Sequence, residues 1–238
     1  MNIAMIFAGG TGSRMNTKSR PKQFLELHGK PIIVYTLEKF ENHPMIDSIV
    51  VVCLKPWIPF LQKLITKFNL TKVASVIPGG ETGQMSIFNG ISEVERLYGS
   101  ESIVLIHDGV RPLIDEETIT NNINCVLENG NAITVSPAIE TVTIRENKNE
   151  IGKIIDRSKC QMAKAPQSFY VKDIIDCHRR AQKENYTEAI DSATMLQHYG
   201  YKLYTVVGST QNIKITTPAD FFMFRAMMDA QENSQIFC

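Results

Sequence analysis

The sequence lacks net charge: 25 lysines and arginines face 25 aspartates and glutamates, for a formal balance of +0 over 238 residues. Long basic runs are missing too. Broad attraction to nucleic acid or to an anionic membrane surface is therefore not encoded, and phosphate binding has to come from a few placed side chains. Cysteine is sparse and unpatterned. Cys53, Cys125, Cys160, Cys177 and Cys238 are odd in number, widely spaced and free of any C-x-x-C. That speaks against a disulfide framework or a zinc site and fits a reducing cytoplasm. No window approaches the roughly 18 apolar residues of a membrane span. The apolar start, Met1 to Phe7, lacks the charged flank and the length of a secretory signal. Repeats, low-complexity stretches and linker-like boundaries are also missing, so the expectation is one domain over 1–238, with 139–160 set apart as an arm.

What the chain has is an ordinary globular composition, 43% apolar and 21% charged, which argues against disorder. Short runs dense in Val and Ile recur at Ile3–Ala8, Ser48–Leu54, Val73–Ile77, Ile103–His107, Ala132–Val135 and Leu203–Val207. They are nearly continuous, as strands buried on both faces of a parallel sheet are. Helical patterns lie between them, at Ile32–Phe40, Trp57–Phe68, Glu116–Leu127 and Pro218–Met228. Strand and helix in alternation predict a single Rossmann-like α/β fold, a mostly parallel twisted sheet with helices on both faces. Glu140–Ile155 breaks the alternation and reads as a β-hairpin with a polar turn over Glu146–Glu150. Its outer faces have little to pack on in such a sheet. A projecting arm that packs on a second copy of the chain would solve that.

Four constellations carry chemistry. Ala8-Gly9-Gly10-Thr11-Gly12-Ser13-Arg14-Met15 follows the first strand, where ligands of open α/β sheets bind. Its glycines let the backbone approach a phosphate, and Arg14 and Lys22 flank it. As a dinucleotide fingerprint it has Met15 in place of the third glycine, and the second strand ends in Leu54-Lys55-Pro56 without a ribose-binding acid. As a Walker loop, Gly29-Lys30 is followed by Pro31 and the upstream glycine is Phe24. A nucleoside triphosphate cradle fits best. His107-Asp108-Gly109-Val110-Arg111-Pro112 ends the fourth strand, and Asp108 there suits Mg²⁺, which takes one or two protein carboxylates plus phosphate oxygens. His107 reads as packed, not catalytic. Gly79-Gly80-Glu81-Thr82-Gly83-Gln84-Met85-Ser86 is a weaker signal, as readily a plain turn as a contact to ribose and a pyrimidine. Lys214, in Asn212-Ile213-Lys214-Ile215-Thr216-Thr217-Pro218, precedes a helix start whose dipole also favours an anion.

Taken in order, Ala-Gly-Gly-x-Gly-x-Arg-Met, Pro21-Lys22-Gln23, His107-Asp108-x-x-Arg111-Pro112, Pro166-Gln167-x-Phe169 and Asn212-Ile213-Lys214-Ile215-Thr216 resemble the methylerythritol-phosphate and ribitol-phosphate cytidylyltransferase family, from Ile3 to about Met228. The resemblance implies transfer of CMP from CTP to a sugar-alcohol phosphate, with release of pyrophosphate. By it, Arg14, Lys22 and Lys214 would be catalytic and Asp108 would hold Mg²⁺. Ala8, Gly9, Gly10, Gly12, Gly80, Glu81 and Ser86 would meet the nucleotide, and Arg111, Arg157, Lys164 and Asp191 the acceptor. In the family the hairpin arm crosses to a partner subunit, which implies a homodimer.

Four departures from the family pattern surround the acceptor. Lys164-Ala165 precedes Pro166-Gln167 where threonine is usual, Ile190 precedes Asp191 where threonine is frequent, Glu81 stands for aspartate, and Gln161-Met162 replaces an aromatic near the arm. They point to a polyol phosphate (ribitol, arabinitol, mannitol or similar) over methylerythritol phosphate, the product being a CDP-polyol for surface polysaccharide or teichoic acid. The rival readings are methylerythritol-phosphate cytidylylation and, in other classes, an NAD-dependent oxidoreductase or a non-catalytic nucleotide-binding subunit.

Overall fold

All six Val- and Ile-dense runs become strands of one sheet. The structure is a computed structural model that describes residues 1–10 and 20–236. In chain order its elements are β1 (Asn2–Ala8), β2 (Glu26–Leu27), β3 (Lys30–Pro31), α1 (Ile32–Glu41), β4 (Ser48–Cys53), α2 (Ile58–Lys67), β5 (Val73–Pro78) and α3 (Gly83–Tyr98). There follow β6 (Ile103–Asp108), α4 (Glu116–Asn129), β7 (Asn131–Pro137), β8 (Val142–Asn147), β9 (Glu150–Ile155), β10 (Gln161–Tyr170), α5 (Val171–Glu184), α6 (Ser192–His198), β11 (Thr205–Val207) and α7 (Pro218–Ile236).

The seven-stranded sheet has the order β11-β7-β10-β6-β1-β4-β5. β1 pairs in parallel with both β4 and β6, while β10 runs antiparallel to β6 and β7. The chain moves from β1 outward through β4 and β5, then returns to place β6 on the other side of β1. That reversal opens a crevice at the carboxyl ends of β1 and β6, where the glycine loop and Asp108 emerge.

Side chains alternate across the sheet and feed two cores. Ala4, Ile6 and Ala8 face α1, α2 and α4 through Leu37, Leu61 and Ile123. Ile3 and Met5 face α3, α5 and α6 through Ile91, Ile174 and Leu196. A third, smaller cluster, with Ile32, Ile215 and Phe224, seats α7 beside the entrance of α1.

Several elements were not legible from periodicity. α3, α5, α6 and the central strand β10 all went unpredicted. β10 carries Lys164-Ala165-Pro166-Gln167, whose polar and proline content hides a strand, and its pairing with β7 shifts register between Ala163 and Gln167. Ser168 of β10 is held by a buried polar network: its hydroxyl donates to Asn122 Oδ1, and Asn122 Nδ2 donates to Thr118 O and Thr134 Oγ1. The hairpin forms as expected, with a tighter turn at residues 148–149. β8 and β9 make a two-stranded sheet of their own, leaving Ile144, Ile151 and Ile154 exposed. No described helix is long and apolar enough to cross a membrane.

α3 lies unusually close to the sheet because Gly90 has no side chain. A Cβ there would collide with Met5 Sδ and stand 2.7 Å from Val52 Cγ2. Alanine raises helix propensity by about 1 kcal/mol over glycine, but overpacking costs about 1–3 kcal/mol. Gly90→Ala is expected to lower the denaturant midpoint, measured by urea unfolding; a higher midpoint would mean that α3 can move off the sheet.

Candidate active site

Phe24 fixes the approach to the crevice. Its ring stacks on Trp57 with centroids 4.9 Å apart and meets the edge of Phe60 at 5.4 Å. The short 3₁₀ turn Lys22–Phe24 is therefore pinned to α2 and the turn before it. Pinning Phe24 places its two predecessors. Gln23 is buried and donates from Nε2 to Ala8 O at 2.7 Å and to Gly10 O at 3.2 Å, so it holds the start of the glycine loop by its carbonyls. Sequence reasoning gave Gln23 no role beyond its place in the motif. Among the described residues, a Cβ on Gly10 would meet no atom within 4 Å. Gly12 and Arg14 lie outside the described residues.

Lys22 is itself buried and sits in the field of Asp220 near the other end of the chain. Asp220 belongs to a capping box at the start of α7. Its carboxylate accepts from Thr217 N at 2.7 Å and Thr216 N at 2.9 Å, and Asp220 N donates back to Thr217 Oγ1. Burial raises the Asp220 pKa, but these backbone donors, the Thr217 hydroxyl and the Lys22 charge together hold it below its usual value.

The segment before α7 is bound to the loop after β6. Ile215 N donates to Val110 O, and Arg111 Nη1 donates to Asn212 O at 2.9 Å. Asn212 is anchored in turn, its Nδ2 donating to Ala165 O. The result is that Lys214 Nζ reaches Asp108 Oδ1 at 2.7 Å, while Arg111 Nε donates to Asp108 Oδ2 at 2.9 Å. Burial alone would raise the Asp108 pKa; the Lys214 and Arg111 charges and hydrogen bonds outweigh it and bring the carboxyl down to about 2. Asp108 is thus an anion at any physiological pH. His107 is buried against Phe40 with Nε2 on Arg111 O, and burial lowers its pKa to about 4, so it is a neutral packed residue, as the sequence suggested.

A cleft of about 680 Å³ runs from Phe7, Asp108 and Lys214 to α5 and α6. Lys164, Arg111 and Asp191 line it. Lys164 Nζ donates to Ser209 O and Thr210 O at 3.3 Å, and burial followed by the nearby Arg111 charge lowers its pKa. Arg111, Lys164 and Lys214 therefore bring three cations to one wall, with Asp108 paired to two of them. Asp191 caps α6, accepting from Thr194 N at 2.8 Å, and its other oxygen takes Gln167 Nε2 at 2.8 Å.

Two assigned groups sit elsewhere. Gly80, Glu81 and Ser86 form the entry to α3, which Thr82 caps; the Ser86 hydroxyl is buried and bonded to Gly80 and Thr82, so it shapes the loop from within. Glu81 is exposed on that loop. Arg157 lies on the arm, its Nη1 on Ile139 O at 3.0 Å, and does not line this cleft.

This architecture has close counterparts. A family model described as "IspD: 2-C-methyl-D-erythritol 4-phosphate cytidylyltransferase" matches residues 2–230. A ribitol-5-phosphate cytidylyltransferase of Vibrio parahaemolyticus is 55% identical over 237 residues, covering 100% of both chains. A 2-C-methyl-D-erythritol 4-phosphate cytidylyltransferase of Clostridium acetobutylicum is 37% identical over 229 residues, with 96% of this chain and 97% of that one covered. Among solved structures, a 4-diphosphocytidyl-2C-methyl-D-erythritol synthase from Anaerococcus prevotii superposes with a TM-score of 0.83 at 26% identity, covering 96% of each chain. The family match spans the chain from β1 into α7, over the stretch that builds the cleft: the chain belongs to the IspD family of cytidylyltransferases.

Proposed function

We propose that this enzyme transfers CMP from CTP to ribitol 5-phosphate, or a closely similar polyol phosphate, giving a CDP-polyol and pyrophosphate. The observation that carries the reading is the full-length 55% identity to a ribitol-5-phosphate cytidylyltransferase. The acceptor wall supports it, since Ala165 and Ile190 line the cleft where the family pattern has threonines, with Lys164 beside them. A cytoplasmic role in supplying surface polysaccharide or teichoic acid synthesis would follow.

In this reading an oxygen of the acceptor phosphate attacks the α-phosphorus of CTP. A P–O bond forms there, the bond from the α-phosphorus to the bridging oxygen breaks, and pyrophosphate leaves with that electron pair. A phosphate nucleophile is already ionised, so no general base is needed; catalysis is positioning and charge neutralisation. Lys22 and Lys214 would neutralise the triphosphate, with Arg14 joining them. The glycine loop would admit the phosphates, and Arg111 and Lys164, which line the cleft, would face the acceptor. Asp108 suits magnesium: it is a permanently ionised hard oxygen ligand, and one carboxylate plus phosphate oxygens is a donor set that ion accepts. Bound there, magnesium would supply further charge neutralisation on the phosphates.

We assign the arm to a homodimer. A lone two-stranded hairpin is marginal in water, and Ile144, Ile151, Ile154 and Met162 are exposed on the arm and at its root. Arg157 would then serve the acceptor phosphate in the partner's cleft.

Steady-state kinetics over ribitol, arabinitol, mannitol and methylerythritol phosphates should give the highest kcat/KM with a polyol phosphate; preference for methylerythritol phosphate would overturn the acceptor reading. Lys214→Ala should lower kcat by about 10²–10³-fold, the usual cost of one charge-stabilising donor, and should also lower the melting temperature, because it strips the buried Asp108 carboxylate of one of its two ion-pair partners; an unaltered kcat in the folded variant would remove it from the transition state. Mixing Arg157→Ala and Lys214→Ala subunits should restore roughly a quarter of activity, as random pairing of a shared two-fold site requires. No recovery would place each site within one chain.

A further inference from the structure

Asn212 is only 1% exposed, yet it is polar and sits in the irregular segment between β11 and α7. A buried amide is costly unless it is hydrogen-bonded. Here the nitrogen is bonded and the oxygen is not: Asn212 Nδ2 donates to Ala165 O at 2.9 Å, while Oδ1 has no partner among the described residues. An unmet buried acceptor costs about 1–3 kcal/mol. The fold tolerates that cost for the sake of one hydrogen bond.

That bond closes a gap in the sheet. The pairs of β10 with β7 stop at Ala163 and resume at Gln167, and its pairs with β6 begin at Gln167. Ala165 is in register with neither neighbour, so its carbonyl is free for the Asn212 side chain. The backbone of Asn212 is held as well, its carbonyl accepting from Arg111 Nη1 at 2.9 Å. Asn212 is therefore pinned on one side to the acceptor wall and on the other to the arginine that grips Asp108. Lys214 follows two residues on, and just beyond it Ile215 N is bonded to Val110 O. The lysine rides on a short span fixed at both ends. Its side chain is partly exposed, so its aim depends on how firmly that span is held.

We propose that Asn212 is a positioning residue for cytidylyl transfer and acts through Lys214. Its amide ties the segment that carries the lysine to β10, and so sets where Nζ lies against the triphosphate. The inference rests on the assignment of Lys214 to the triphosphate above and adds the group that aims it. Asparagine suits the position because it supplies a donor at the right reach. Ionised aspartate would set an acceptor against the Ala165 carbonyl, and a serine hydroxyl is too short to span to it.

The test is a double-mutant cycle with CTP and ribitol 5-phosphate, read by pyrophosphate release; should the wild type turn over methylerythritol phosphate instead, the same cycle is run with that acceptor. Asn212→Ala alone should lower kcat about tenfold or more, since misplacing a stabilising group by about 1 Å can cost about 10²-fold. In the Lys214→Ala background the same change should alter kcat by less than about twofold, because no lysine is left to misplace. Melting curves check that the variants fold, and Asn212→Ser, a smaller change, takes the place of the alanine variant if that one does not. Equal losses in both backgrounds would make Asn212 a general structural residue and overturn the inference alone, as would a wild-type kcat in the folded single variant. A wild-type kcat for Lys214→Ala would overturn the lysine's role and the positioning role with it.

Discussion

The site depends on one ion pair, between Asp108 at the end of β6 and Lys214 in the segment before α7. It joins parts of the chain over a hundred residues apart, and its geometry is enforced from both sides. Arg111 grips the second Asp108 oxygen and the Asn212 carbonyl, and Ile215 bonds to Val110. Gly109 lets the β6 turn lie against β1, where a Cβ would stand 3.3 Å from Phe7 O. A carboxylate held this firmly keeps its charge, and the lysine beside it is presented to the cleft. Removing Lys214 would leave the buried Asp108 carboxylate to Arg111, and removing Asp108 would leave both cations without their shared counter-charge.

The glycine loop is held by a different logic. Gln23 ties down its carbonyls, and Gln23 is in place because Phe24 is wedged between Trp57 and Phe60. Two independent anchors, an aromatic cluster on one core and a hydrogen-bonded segment at the far end of the chain, thus converge on the same crevice. The topology supplies the convergence, since the crevice is where the strand order reverses between β1 and β6.

Much of this could be read in the sequence, for definite reasons. Parallel strands buried on both faces are dense in Val and Ile, so β1, β4, β6 and β7 announced themselves, and the residues at their carboxyl ends became candidates at once. Asp108 was found that way, Lys22 by its place beside the glycine loop and Lys214 by preceding the Pro218 helix start. What escaped was polar or locally irregular: β10, whose lysine, glutamine and proline resemble a loop, and α5 and α6, whose apolar residues are diluted by surface-facing Lys, Arg and Gln. The signal that could have found β10 is Ser168-Phe169-Tyr170, a β-favouring run after the Pro-Gln pair. Ser86 shows the reverse limit: a hydroxyl in a loop motif suggested ligand contact, and the structure uses it to hold Gly80 and Thr82.

The antiparallel strand β10 has a consequence for how the molecule is made. As the chain is synthesised, β1, β4, β5 and β6 can assemble as soon as the first half is out, but β6 then stands as a bare edge with its amides unpaired. β7 cannot cover it, because the finished sheet seats β10 between them. The hairpin arm must emerge before that edge is sealed, and Lys214 arrives later still. A chain cut short in that interval would carry β6 as an unpaired edge strand, a template for pairing with another copy of itself.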